Sequence, residues 1–348
     1  MRTSGKSWCW LTANRRGAVL VAALSLPVGS GCGGRPGPEP PPLSAMALEV
    51  APQSVPQRHA DSVVTLVGAA DIALCESEGD EATAHVIDSL VHVAVGPVSV
   101  FVAGDLAYPR GTREQFARCY DPSWGRFKAI TRPVPGNHEY KNGFLWFLLG
   151  GDADPYFEYF DSLPGAAGAR GDGWYRYTHG AWDIYALNTG RSGRLEPSSR
   201  QWEWLTRELA SRDAECSLAF LHNPRFSAGK HGDNEGLREL WELLANHGIE
   251  LWLAGHDHNY QRFRPQTGTG DPDPTGIRQF VVGTGGAYLH AQENRTAGLL
   301  EKRTSEYHGV LKLVLRVNRY EWEFVLTDGT VWDSGVSSCQ NTRSAQRR

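Results

Sequence analysis

Four stretches of the chain, SVVTLVGAAD (62–71), VSVFVAGD (98–105), SLAFLHN (217–223) and IELWLAGHDH (249–258), are apolar almost without interruption until their last residues. A strand with one wet face alternates apolar and polar residues, so a continuous run needs cover on both faces and reads as a central strand. Several such strands separated by helix-like segments predict an α/β domain with helices over the sheets. SSRQWEWLTRELASR (198–212) offers Ser198 and Gln201 as a capping box and puts Trp202, Leu205 and Leu209 on one face. EGLRELWELLANHG (235–248) gathers Leu237, Leu240, Trp241 and Leu244 on one face and stops at Gly248, a good helix terminator. Beyond residue 276 the pieces IRQFVVGTGGA, GVLKLVLRV, YEWEFVLTDG and TVWDSG, divided by Gly, Asn and Asp turns, suggest a second, largely antiparallel strand set.

With 348 residues, 41% of them hydrophobic, the chain has ample material for one large core. Its net charge of -4 and scattered Lys and Arg give no basic surface for nucleic acid. Residues 1–32 read as an export signal: Arg2, Lys6, Arg15 and Arg16 precede the apolar run AVLVAALSLPV. The following GSGC resembles a lipoprotein cleavage box, with Cys32 as the site of lipidation. The expected location is the periplasm, the cell surface or the medium, with membrane contact only through the signal or a lipid anchor. Residues 33–59 are too rich in Pro and Gly to pack and form a linker, 60–339 form the folded domain, and 340–348 are a polar tail. Cys75, Cys119, Cys216 and Cys339 remain after the leader, an even number suited to two disulfides in an exported protein. Of the three connectivities, Cys75 with Cys119 and Cys216 with Cys339 is favoured, and no pair has the CxxC spacing of a zinc or redox site.

Every central run ends on a residue able to bind metal: Asp71, Asp105, His222, and His256 with His258. VPGNHEY adds Asn137 and His138 after the shorter run RPV. In open α/β sheets ligands bind beyond the carboxyl ends of the strands, so these loops should converge. Singly, each residue is explained as a turn, cap or surface residue; two carboxylates, one amide and several imidazoles at corresponding strand ends are explained together as a metal site. The mixed oxygen and nitrogen set suits zinc, manganese or iron and argues against an oxygen-only calcium site. The donors exceed the three or so protein ligands of one catalytic ion, which implies two.

In order, GAAD, GDLAY, GNHE, the His of LHNP and GHDH resemble the five signature segments of the calcineurin-like metallophosphoesterases, and Tyr108 of GDLAY resembles the purple acid phosphatase branch. YDPSWGRF, SAGKHG and IRQFVVGTGGA are similar to segments of bacterial exported members. The resemblance runs from about residue 63 to 339 and lacks the N-terminal β-sandwich domain of the plant-type enzymes. It implies an α/β/β/α sandwich of two mixed sheets flanked by helices. It further implies that Asp71, Asp105, Tyr108 and His258 hold a first ion, and that Asp105 bridges to a second completed by Asn137, His222 and His256. The ions would be Fe(III) with Fe(II), Zn(II) or Mn(II), the Tyr108 phenolate giving a purple colour.

The reaction expected from this set is attack of metal-bound hydroxide on a phosphomonoester, as in an acid phosphatase. A histidine suits protonation of the leaving oxygen, His138 being the first candidate and His231 the second, both also expected at the substrate. Arg225 is a candidate phosphate contact, and Asp257 a candidate to orient a ligand. A phosphodiesterase or nucleotidase would use the same ligands, and a noncatalytic metal- and phosphate-binding lipoprotein is a third reading. A carbohydrate-binding surface built from the 12 Trp and 12 Tyr is weaker, because most have core spacing.

Overall fold

Asp71 follows β1 (Val64–Ala69), a strand buried along its whole length because neighbours flank it on both edges and both faces are covered. The computed structural model describes residues 62–340 except 143–147, 149, 292 and 294–298. The export segment, Cys32, the linker expected at 33–59 and the tail from 341 lie outside the described residues.

In chain order β1 is followed by α1 (Gly79–Val93), β2 (Val98–Ala103), β3 (Thr131–Val134), α2 (Asp154–Phe160), β4 (Tyr175–His179), β5 (Trp182–Ala186), α3 (Arg200–Ala210) and β6 (Cys216–Phe220). Then come α4 (Arg238–Asn246), β7 (Leu251–Ala254), β8 (Tyr260–Phe263), β9 (Arg278–Val282), β10 (Leu300–Thr304), β11 (Gly309–Arg316), β12 (Arg319–Leu326) and β13 (Val331–Ser338). They build two mixed sheets, one in the order β13-β12-β11-β1-β2-β3 and one in the order β10-β8-β9-β7-β6-β5-β4. The strands β1, β2 and β3 are mutually parallel, as are β5, β6, β7 and β9. Their carboxyl ends therefore emerge together within each sheet.

The sheets pack face to face through apolar side chains. Phe101 meets Phe220 at 6.0 Å, Phe280 meets Trp322 at 5.9 Å, and the Trp182 indole N–H donates to the Arg316 carbonyl at 2.7 Å. The residues between, on the other pleat of the second sheet, are apolar too: Tyr185, Ala219, Leu221 and Trp252 pack with Leu205, Leu209, Leu240, Trp241 and Leu244 of α3 and α4. Continuous apolar runs thus have the physical reason inferred for them, a core on one face and helices on the other. Ile87 and Ala84 of α1 bury against the first sheet. The result is a sandwich of two mixed β-sheets flanked by helices.

Three local expectations change. α3 is capped by Ser199, whose hydroxyl accepts from the Trp202 N–H at 3.2 Å, and not by Ser198. Gln201 instead clasps the Asn188 backbone, donating to its carbonyl at 2.7 Å and accepting from its N–H at 2.8 Å. The strand pieces beyond residue 276 also divide between sheets. β9 pairs parallel with β7 in the second sheet, consistent with its buried Phe280, Val281 and Val282, while β11, β12 and β13 form an antiparallel meander beside β1. Disulfides join Cys75 to Cys119 and Cys216 to Cys339, the second linking the start of β6 in one sheet to the residue after β13 in the other. No described helix is long and apolar enough to cross a membrane.

Candidate metal centre

Three residues at the strand ends adopt left-handed backbone: Asp71 at φ 61°, Asp105 at 53° and His256 at 70°. Such conformations cost about 1–3 kcal/mol each in a non-glycine residue and persist where the surroundings enforce them. Here they turn the side chains back over the strand ends. The approach is tight enough to need glycine: a Cβ on Gly104 (φ 85°) would lie 2.6 Å from His222 Nδ1, and one on Gly136 would lie 2.2 Å from Asp105 Oδ1.

Seven side chains meet in this space, in two overlapping groups. In the first, the Tyr108 hydroxyl lies 2.6 Å from Asp71 Oδ1, 3.0 Å from Asp105 Oδ2 and 2.9 Å from His258 Nε2. In the second, His222 Nε2 lies 3.0 Å from Asn137 Oδ1, 3.3 Å from Asp105 Oδ2 and 3.2 Å from His256 Nδ1. Asp105 belongs to both. The outer nitrogens are committed elsewhere: His222 Nδ1 donates to the Ala103 carbonyl at 2.9 Å, and His258 Nδ1 to the Tyr288 carbonyl at 2.7 Å. Their Nε2 atoms therefore face the cluster, and in the neutral rings carry the lone pairs that a metal would need.

With the imidazoles neutral, that arrangement has too few protons for its acceptors. One phenolic proton faces two carboxylate oxygens and an imidazole lone pair, and the second group sets the His222 lone pair against two oxygens. Buried acceptors without donors are costly, whereas cations satisfy several at once. Asp71, Asp105 and His222 offer ligand atoms all within 4.8 Å of one another. The residues fit metal.

The electrostatics carry the same strain. Burial alone would raise Asp71 and Asp105, yet neighbouring imidazoles, His258 and His222 for the first, His222 and His138 for the second, draw both below the usual carboxylate range. Burial would lower His222, but Asp105 and Asp71 raise it to about 9, so without a cation the carboxylates draw a proton onto this ring, the place a metal would take, whereas burial together with His222 and His231 drives His256 down to about 3. Burial, Asp105 and Asp71 push the Tyr108 phenol well above 10.

The remaining candidates separate. His138 donates its backbone N–H to Asp105 Oδ1 at 2.8 Å; its Nδ1 is 2.6 Å from the Pro109 carbonyl and its Nε2 2.7 Å from Lys141 Nζ, so both ring nitrogens are engaged. His231 stacks on His256 at 4.0 Å and directs Nδ1 to Asp257 Oδ1 at 2.8 Å, leaving Nε2 without a hydrogen-bond partner among the described residues. Asp257 is fully buried, and beyond His231 it accepts from the Ser227 hydroxyl; it orients His231 and not a residue of the seven-membered cluster. Arg225 needs correction as a phosphate contact: it is 2% exposed, donates to the Gly268 carbonyl and Glu235 at 2.8 Å each, and lies over the Phe226 ring at 4.3 Å. It is a strut beneath the loop.

Other residues near the cluster had no assigned part in the sequence reading. Glu139, fully buried, accepts from the backbone N–H of Asp105 (3.0 Å), Leu106 (2.9 Å), Ala107 (3.3 Å) and Gly136 (2.8 Å), tying the loop after β2 to the loop after β3. Its signal was the last letter of GNHE. His290 stacks on His258 at 4.0 Å with rings 9° apart. It lies in the loop after β9 that also supplies the Tyr288 carbonyl to His258, too far beyond the strand end to be signalled by it. Lys141 had no sequence signal.

A family model for calcineurin-like phosphoesterases matches residues 65–260, more than half of the 348. Purple acid phosphatase 22 of Arabidopsis thaliana is 25% identical over 259 residues, covering 68% of this chain and 56% of that protein. Human tartrate-resistant acid phosphatase type 5 is 37% identical over 89 residues, 25% of this chain and 27% of the relative. The structure of purple acid phosphatase PPD1 from yellow lupin superposes with a TM-score of 0.65 at 21% identity, over 80% of this chain and 54% of that one. The chain thus spans little more than half the length of the longer relatives. With the five signature segments brought to one cluster on the matching fold, the chain belongs to the calcineurin-like phosphoesterase family.

Proposed function

We propose that this chain is a dinuclear-metal phosphoester hydrolase acting on phosphomonoesters, an acid phosphatase. The observation that carries the reading is the pair of overlapping donor groups that share Asp105 at the ends of parallel strands. Asp71, Asp105, Tyr108 and His258 would hold one ion; Asp105, Asn137, His222 and His256 would hold the other. Bound there, the two ions supply an activated water and neutralise phosphate charge in an in-line displacement. Tyr108 as phenolate favours Fe(III), with Fe(II), Zn(II) or Mn(II) at the other position.

His231 is the better proton donor to the leaving oxygen, reversing the order expected from sequence. Its Nδ1 is fixed by Asp257, which leaves Nε2 turned to the same cavity that Tyr108, His258 and His256 line. His138, with both nitrogens engaged, is suited instead to hold Lys141 and the Asp105 carboxylate in place. Glu139 keeps the loops of Asp105 and Asn137 in register. The N-terminal signal and Cys32 support export, as an anchored or a released protein.

The test is metal analysis of the purified protein with its visible spectrum and its turnover of p-nitrophenyl phosphate and bis-p-nitrophenyl phosphate at acidic and neutral pH. Two metals per chain, a broad visible band and acid-favoured monoester turnover are expected. Preference for the diester overturns the monoester assignment, and metal without hydrolysis of either overturns the enzyme.

A further inference from the structure

The cavity over the cluster, 280 Å³ in volume, opens beside a larger one of 640 Å³; Asn137, Lys141, His231 and His256 line both. The larger groove adds Arg191 and Arg194 in the part that the cluster does not share. Two acids also border it, but both are engaged. Asp233 Oδ1 accepts from the Ser227 N–H at 2.8 Å, and Glu235 is paired with the buried Arg225 guanidinium at 2.8 Å. Arg194 is exposed, and its side chain lies along Gly236, where a Cβ would come within 2.9 Å of Nε. Gly236 gives Arg194 room to lie flat along the groove wall. Lys141 stands at the junction, half-buried, its Nζ 2.7 Å from His138 Nε2 and without a carboxylate at ion-pair distance among the described residues.

We propose that this groove is a subsite for a second phosphate group of the substrate, with Arg194 and Arg191 as its specificity residues and Lys141 between it and the reacting phosphate. The inference rests on the phosphoesterase reading. A simple monoester fills only the cavity over the cluster. A substrate with a second phosphate extends along the groove, where guanidinium groups offer the planar, paired N–H donors that match phosphate oxygens. Placing the second phosphate there fixes the orientation of the first, so the gain appears in kcat/KM. Dianionic leaving groups, as in sugar bisphosphates, are the class favoured, and the preference should weaken with salt because the groove is open.

The experiment compares glucose 1,6-bisphosphate with glucose 6-phosphate on the intact metal-loaded protein, reading kcat/KM for each, and equilibrium dialysis of each if neither is turned over. The wild type should favour the bisphosphate. Arg194→Ala should lower the bisphosphate-to-monophosphate ratio about tenfold, the scale of one partly exposed charge-assisted contact. Arg194→Lys should recover part of the ratio and Arg194→Glu should lower it further. A ratio near one in the wild type, or one unmoved by Arg194→Ala and by the Arg191→Ala, Arg194→Ala double variant, overturns the subsite while monoester turnover keeps the phosphoesterase. Absence of turnover on both sugars and on p-nitrophenyl phosphate overturns the phosphoesterase reading itself, and the binding ratio then decides the anion site on its own.

Discussion

Glu139→Gln tests how the candidate centre is held. The substitution keeps the shape of a fully buried side chain but replaces one carboxylate oxygen by an NH2 group. The two oxygens of Glu139 receive four backbone N–H groups, those of Asp105 and Gly136 on one and those of Leu106 and Ala107 on the other. Whichever way the amide turns, two buried N–H donors lose their acceptor and face another donor. At about 1–3 kcal/mol for each unsatisfied group the expected loss is about 2–6 kcal/mol. Burial and Asp105 push this carboxyl up to about 8, against the N–H donors of Gly136 and Ala107, so the comparison belongs at about pH 9, where Glu139 is a carboxylate that accepts on both oxygens. Urea unfolding of the metal-free protein, at fixed m-value, measures the loss. Metal titration of the same variant should reveal weaker binding, because Asp105 and Asn137 lie on the two loops that Glu139 joins. A loss below about 1 kcal/mol with unchanged metal affinity would refute the claim that Glu139 is their fastening.

Three further outcomes are expected. His258→Ala should remove one metal per chain and nearly all phosphatase activity while circular dichroism stays native; full metal content and activity would sink that ligand assignment. Glu250, buried, has its carboxyl raised from 4.5 to about 8 by burial, outweighing its hydrogen bond from the Gln340 N–H. Its stabilising effect is therefore complete below pH 4.5 and lost as the pH rises toward 8, since the unfolded chain releases the proton first. Glu250→Gln should match the wild type at low pH and exceed it at pH 8 in thermal unfolding, and parallel pH profiles would contradict this. Replacing Cys216 and Cys339 together by Ser opens a crosslink spanning 123 residues, expected to cost about 2–5 kcal/mol in denaturant unfolding.

Much of the fold could be read from texture alone. Runs such as VSVFVAG and ELWLAG carried apolar residues on both faces of a strand, and the two cores, one between the sheets and one under α3 and α4, are why. Periodicity cannot say which sheet a buried strand joins. Register and partner are tertiary facts, so IRQFVVG was grouped with the meander although it pairs with β7. The same limit applied at the helix start, where adjacent serines 198 and 199 are equal candidates until the chain direction into α3 is known. At the centre, the strand-end residues were visible because their type is unusual at that position. Arg225 was misread because an arginine near a motif looks exposed, and only the burial of its guanidinium against Glu235 and Phe226 reveals its use. Lys141 and Glu139 were missed because their importance lies in what the fold puts opposite them.

Strand β6 has a different fastening at each end. Cys216, at its start, is bonded covalently to the residue that follows the last strand of the other sheet, while His222, just beyond its finish, faces Asp105 and Asn137 from that other sheet. The two sheets are thus riveted at one end and meet at the candidate metal centre at the other, so that only the second end should respond to metal. Chelation should loosen the loops at that edge, with amide exchange rising at His222 and beyond while staying slow near Cys216. Reduction should raise exchange near Cys216 and leave the opposite edge slow, while the apolar core between the sheets, Phe101 against Phe220 and Phe280 against Trp322, stays packed under either treatment.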